Sequence, residues 1–247
     1  MEDPGRVRNG REGSKLWGMV STAESREKGI ARAAFAAAAA GVVGLAAVQL
    51  WLRPGLPFDG GELSDRVSYL ARHQTCWTWG WLLAGLGAAL VVNLYRVLAA
   101  RFRSACEGSC RLAMLLATAG LGVDLSGIAL WLVVAPGQDA AGLGLVEKMA
   151  GAFSLFAAKI LYSAAGVLLT LAGWKELSRG LIALSFGVWI SGLWVAGAAL
   201  RGCGSAQFWS LGALVILFVA WSTLLGLHFL GMPHRPESSS FTPDPRD

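Results

Sequence analysis

A chain of 247 residues that is 55% hydrophobic and only 15% charged is no ordinary soluble domain, in which about a quarter of the residues carry charge. Its net charge is +5, and it has no basic stripe interleaved with aromatics of the kind that marks a nucleic-acid surface. The composition points instead to an all-α polytopic membrane protein, because a helix satisfies its own backbone polar groups in lipid.

Taken in order, residues 1–27 are polar and basic, with Arg6, Arg8, Arg11, Lys15 and Arg26, and lack apolar periodicity. They predict a disordered cytoplasmic tail. Within it Met19 is a second candidate start of translation, and Ser21 with Glu24 has the spacing of a capping box that could open the first helix. Residues 28–231 predict a bundle of six transmembrane helices, at about 29–52, 75–99, 112–135, 150–174, 181–200 and 207–231. The first apolar run is longer than a signal-peptide core and no cleavage site follows it, so it reads as an uncleaved anchor.

Pro54 and Pro57 end that first span. Asp59 and Glu62 again have capping-box spacing, and Leu63, Val67 and Leu70 fall on one face, predicting a short interfacial helix before span two. Span two opens on Trp77, Trp79 and Trp81, an aromatic group expected at headgroup level. In span five Ala183, Gly187 and Ser191 offer a small-residue packing face, a means of meeting neighbouring helices or other membrane subunits. Residues 232–247, rich in Pro and Ser, predict a second disordered tail.

Six spans place both termini on one side. Fifteen of the 21 Lys and Arg lie on that side, five lie on the other, and Lys159 falls inside a span. By the positive-inside rule both termini are expected in the cytoplasm, with the protein multi-pass in a bacterial inner membrane.

Spans three and four each carry a charge where hydrocarbon should be, Asp124 and Lys159. Counted along helices at 1.5 Å per residue, both lie about 14 to 17 Å from the same surface, so antiparallel neighbours would place them at one depth. An unpaired charge there costs about 2.5 to 3.5 kcal/mol on insertion scales, and such residues normally face the bundle interior. Ala113, Ala117, Gly120, Asp124 and Gly127 recur at spacings of 4, 3, 4 and 3, and Lys159, Ser163, Gly166 and Thr170 repeat the pattern. These two stripes are expected to meet, with Asp124, Lys159, Ser163 and Thr170 as a buried polar centre. The pair serves either as a structural tie that fixes helix register or as part of a proton or substrate path.

Other chemistry-bearing residues are scattered. Gln49, Arg53, Glu62, Asp65 and His73 all fall near the outer ends of spans one and two and form a candidate outer-face site. Cys76 and Cys203 share that face, where a disulfide is conceivable in an oxidising compartment. Cys106 and Cys110 lie one helical turn apart on the cytoplasmic link. His73 and His228 fall at opposite ends of the bundle, so the two cannot ligate one haem, and neither haem nor metal is assigned.

No zinc-protease H-E-x-x-H and no G-x-S-x-G elbow is present. Six helices with a serine and a late histidine resemble the rhomboid proteases, but that family wants glycine where Asp124 stands. Ser126 and His228 also fall in opposite halves of the membrane, too far apart for nucleophile and base. The acidic loop leading into Tyr69 to Leu83, then Asn93 and Tyr95, and the closing Val219 to Leu230 resemble uncharacterised six-helix bacterial inner-membrane proteins of domain-of-unknown-function families. That resemblance implies a six-helix fold and no activity. The expected function is an accessory, binding or sensor-type membrane subunit; the alternative is a small proton-linked or small-molecule transporter using the buried pair. Against transport stands the lack of paired Gly or Pro breaks across two halves.

Overall fold

The computed structural model describes residues 9–58, 62–202 and 204–231, with side chains from residue 25 onward. The helices are α1 (Asn9–Ala47), α2 (Leu63–Arg72), α3 (Gln74–Phe102), α4 (Glu107–Ala129), α5 (Ala140–Ala150), α6 (Ala158–Ala172), α7 (Arg179–Leu200) and α8 (Gly204–Leu230). Six stretches are long and apolar enough to cross a membrane: Ser25–Gly55, Gln74–Phe102, Glu107–Gly137, Ala140–Ala172, Arg179–Leu200 and Gly204–Leu230. The protein is an all-α, multi-pass membrane protein whose helices meet the lipid bilayer.

The spans form a ring in chain order, each packed on its neighbours and α1 closing against α8. Close approaches show the antiparallel register. Phe35 lies against Gly226, Val219 against Gly41, and Pro57 against Gly204, so the residue numbers fall along α8 as they rise along the first span. The end where α1 enters and α8 leaves is termed proximal here, the other distal.

α1 runs from Asn9, which corrects the expectation of a disordered tail over the described part of 1–27 and moves the helix start away from Ser21. The stretch contains no proline, and Glu24 precedes Lys28 by one helical turn, a helix-supporting spacing. Residues 1–8 and 232–247 lie outside the described residues, as does Asp59 of the second expected capping box. Glu62 is the extended residue that opens α2, whose Leu63, Val67 and buried Leu70 pack on the distal core rather than on lipid.

The fourth span starts ten residues before its expected position, at Ala140 rather than Ala150. Asp139 caps it, its carboxylate accepting the Gly142 N–H at 2.8 Å, so Glu147 and Lys148 lie on a helix and not in a loop. At 1.5 Å per residue this 33-residue helix is about 50 Å long, well beyond a hydrocarbon core of about 30 Å. Its first turns therefore stand over the distal face, beside α2.

Spans one and three leave the bundle by the same device. Each passes from α-helix into a wider π turn (Val48–Leu52, Leu130–Val134) and then into a tight 3-10 turn carrying Pro-Gly (Arg53–Gly55, Ala135–Gly137). Both end on a residue in extended conformation. Proline suits the second position of such a turn because its missing N–H would have no partner there. Both exits belong to the first three spans, so they are not breaks paired across the two halves of the chain. A third π stretch, Gly151–Ala157, joins α5 to α6.

Two packed regions bracket the bundle. The proximal one includes Tyr95, Phe102, Trp189, Trp221 and Phe229; the distal one includes Leu52, Phe58, Trp77, Trp131 and Leu143. Trp77 and Trp81 belong inside the bundle rather than to a headgroup belt, and only Trp79 of the three faces outward. Residues four apart share a helix face and those two apart do not. Trp81 stacks on Trp131 at 5.5 Å, and the Trp77 indole donates to the Trp131 carbonyl at 2.9 Å. Ala183 is exposed and Gly187 and Ser191 are only half-buried, while Ser185, Val188 and Gly192 belong to the packed face of α7.

Candidate functional site within the membrane

Between the two packed regions lies a cavity of about 280 Å³, with walls from all six spans. At about 30 Å³ per water it could hold roughly nine waters, close to the lower limit of small-molecule pockets. Asp124, Lys159, Tyr162, Ser154 and Ser163 gather on its α4 and α6 side, Trp81, Trp131 and Trp189 add aromatic wall, and Gln49 and Glu147 contribute polar groups. Each π stretch supplies part of this wall: Val48, Gln49 and Leu52 from the first, Trp131 from the second, Gly151, Ser154 and Leu155 from the third. Widened π turns recur at functional sites.

Asp124 and Lys159 come together, with Nζ 3.7 Å from Oδ2. The stripe on α4 makes the approach possible. Ala113, Ala117, Gly120, Asp124 and Gly127 are all buried, Gly120 lies under the Tyr162 ring, and a Cβ on Gly127 would strike Ser154 Oγ and crowd the Ala150 carbonyl. Ser154 in turn donates to the Asp124 carbonyl at 3.2 Å. The α6 stripe is a correction in part, because beyond Lys159 it turns to α7 rather than α4. Gly166 packs under Trp189 and Ser163 against Gly192. Thr170 donates to the Gly166 carbonyl at 2.8 Å and accepts from the Trp189 indole at 3.0 Å, so it serves the proximal packing and stands apart from the charged pair.

The pair is slack. At 3.7 Å the ammonium is beyond ordinary hydrogen-bond reach of the carboxylate; it lies 5.5 Å from the centre of the Tyr162 ring. Lys159 is the more open partner, with 20% of its side chain accessible against 9% for Asp124. The Tyr162 hydroxyl is buried beside Asp124 without closing a hydrogen bond of ordinary geometry, and the buried Trp81 indole N–H has no partner. Tyr95 ties α3 to this wall by donating to the Tyr162 carbonyl at 3.2 Å.

The five residues expected to form an outer-face site receive different neighbours. Gln49 is on the cavity wall. The Arg53 guanidinium lies 4.7 Å over the Phe208 ring, Ser64 donates to Glu62 at 3.3 Å, Asp65 is exposed, and His73 stacks on Tyr69 at 4.4 Å. The distal charge pairing that does form is Arg66 with Glu147, at 2.8 Å. It was hidden in the sequence because residues 140–149 read as a loop. Tyr162 was missed as well, although its position three residues after Lys159 puts it on the same helix face.

Cys76 is exposed at the start of α3, and Cys203, its expected partner, lies outside the described residues. Ser126 donates to the Gly122 carbonyl at 2.9 Å, and the His228 ring bonds the Glu176 carbonyl at 3.0 Å near the proximal end. Among the described residues no three His, Cys, Asp or Glu come together as a metal-binding group. No protein-family model, curated protein or solved structure matches this chain.

Proposed function

We propose that the protein acts by binding, as a sensor-type or accessory membrane subunit that holds a small, mainly apolar molecule in its mid-membrane cavity. The observation that carries this reading is the coincidence of a cavity of about 280 Å³ with a slack charged pair on its wall. A structural tie that only fixed helix register would be expected to close to hydrogen-bond distance in a packed setting, since every unsatisfied charge in a dry interior is costly. Here both members of the pair line the cavity. The positive-inside bias places the proximal end, with both termini, in the cytoplasm, in keeping with a bacterial inner membrane.

A second reading, a small proton-linked carrier, draws on the position of the cavity between two packed ends. Alternating access needs a central site that either end could uncover.

Tryptophan quenching tests the binding reading. Trp81, Trp131 and Trp189 line the cavity, so 10-bromodecanol added to the protein in nanodiscs should quench part of the emission saturably. Gly87 and Gly212 also line it, and nothing stands within 4 Å of a Cβ built on either. Gly87→Leu with Gly212→Leu should fold, occupy the space and abolish the saturable component. Quenching that rises linearly with lipid partitioning in both proteins would refute the reading.

A further inference from the structure

We infer that the cavity selects a molecule with a hydrogen-bond-accepting, anionic head, namely a carboxylate on an apolar body, and that Asp124 takes up a proton when it binds. The inference rests on the binding reading above and adds the chemistry of the ligand. It starts from a count of donors and acceptors. The Lys159 ammonium is the open member of its pair and makes no contact with Asp124 shorter than 3.7 Å. Tyr162 and Trp81 are also on the cavity wall; the Tyr162 hydroxyl lies beside Asp124, and the buried Trp81 indole N–H has no hydrogen-bond partner. The Lys159 ammonium and the Trp81 indole are thus the wall donors without a close partner, and the Asp124 carboxylate is the less accessible of the two charged groups. A buried donor left without a partner costs about 1 to 3 kcal/mol. A ligand that supplies acceptor oxygens relieves that cost, and an amine does not.

Charge balance decides the rest. Asp124 is faced by Lys159 and Tyr162 from α6 and by the uncharged Ser154, with Tyr95 behind Tyr162 on α3. The other charged wall residue, Glu147, is already matched by Arg66. The charges of the cavity wall thus balance. A carboxylate that takes the Lys159 ammonium leaves Asp124 without its counter-ion in a medium where an uncompensated charge is strongly disfavoured. One proton from solvent, or the proton of the incoming carboxylic acid, transfers to the Asp124 carboxylate. The cavity then holds a neutral Asp124, the ammonium and the ligand carboxylate, and its net charge is unchanged. The rest of the wall, with Leu52, Val91, Trp131, Val188 and Phe218 among its residues, suits an aliphatic chain.

The test compares three probes of one chain length, 10-bromodecanoic acid, 10-bromodecanol and 10-bromodecylamine, by saturable tryptophan quenching in neutral nanodiscs. A charge-assisted hydrogen bond is about twice as strong as a neutral one, so the acid should bind about tenfold or more tighter than the alcohol, with the amine weakest. Calorimetry of the acid in two buffers of different ionisation enthalpy should show uptake of about one proton. In Lys159→Met/Asp124→Asn, where no buried charge is left unpaired, the acid should lose its advantage and the proton uptake should vanish while the alcohol still binds. Equal saturable binding of all three probes, or a preference that survives in the double variant, would overturn the inference and leave the binding reading standing. Failure of all three to saturate would overturn both.

Discussion

Arg66 on α2 reaches across the distal face to Glu147 on α5, Nη1 to Oε1 2.8 Å, with only 10% and 11% of the two side chains accessible. The ion pair fastens the short surface helix to the long fourth span, directly over the cavity to which Glu147 contributes. Removing one partner of such a buried pair strands the other charge, at a typical cost of about 3 to 5 kcal/mol, whereas removing both is often close to neutral. Arg66→Met should therefore lower the unfolding temperature in detergent strongly, and Arg66→Met/Glu147→Leu should recover most of the loss. Equal melting of wild type and the single variant would contradict the burial of this pair.

The same logic applies at the centre of the bundle, with a smaller expected coupling because the pair is slack. Asp124→Asn or Lys159→Met alone should destabilise by a few kcal/mol, and the double change should be milder than either. A double-mutant cycle from thermal or denaturant unfolding measures the coupling directly. Purely additive losses would show that the two charges do not share an environment.

At the proximal end the packing depends on indole hydrogen bonds as well as on area. Trp189 donates to Thr170 at 3.0 Å and Trp221 to Ser185 at 2.8 Å, both buried. Thr170→Val or Ser185→Ala leaves an indole N–H stranded, so each should cost about 1 to 3 kcal/mol. Trp189→Phe in the Thr170→Val background should restore part of the loss, and unfolding midpoints of the three proteins would test it. Gly166→Ala should be worse than any of these, since its Cβ would run into the Trp189 ring.

Orientation can be read from thiols and fusions together. Cys106 is exposed at the proximal turn before α4, and the Ser109 hydroxyl, with its Sγ to Oγ contact of 3.0 Å, and the Ser109 amide hold the thiol below its ordinary pKa. A lowered pKa means more thiolate at neutral pH, so Cys106 should react with maleimide faster than a free thiol, and Ser109→Ala should move its rate profile to higher pH. A membrane-impermeant maleimide should reach it only from the cytoplasmic side. Reporter fusions after Gly137 and Gly204 should report the outside, and fusions after Glu107 and Arg235 the inside. One discordant loop would reverse or break the topology.

Span number, span type and the meeting of Asp124 with Lys159 were legible in the sequence, because hydrocarbon thickness sets helix length and the cost of a buried charge forces it inward. The small residues of α4 pointed to its packed face for the same reason, since close helix approach excludes large side chains. What the sequence could not settle was which neighbour each face would meet. Ser163, Gly166 and Thr170 have the same periodicity whether they turn to α4 or α7; only the closure of the ring sends them to α7, where Trp189 and Gly192 receive them. Trp77 and Trp81 likewise read as a surface belt until Trp131 of another span covers them. The cavity itself is a property of six helices at once. Its slack pair, its Tyr162 and Trp81 wall and its Arg66–Glu147 cover come from several separate helices, so they are fixed by tertiary packing, to which local periodicity is blind.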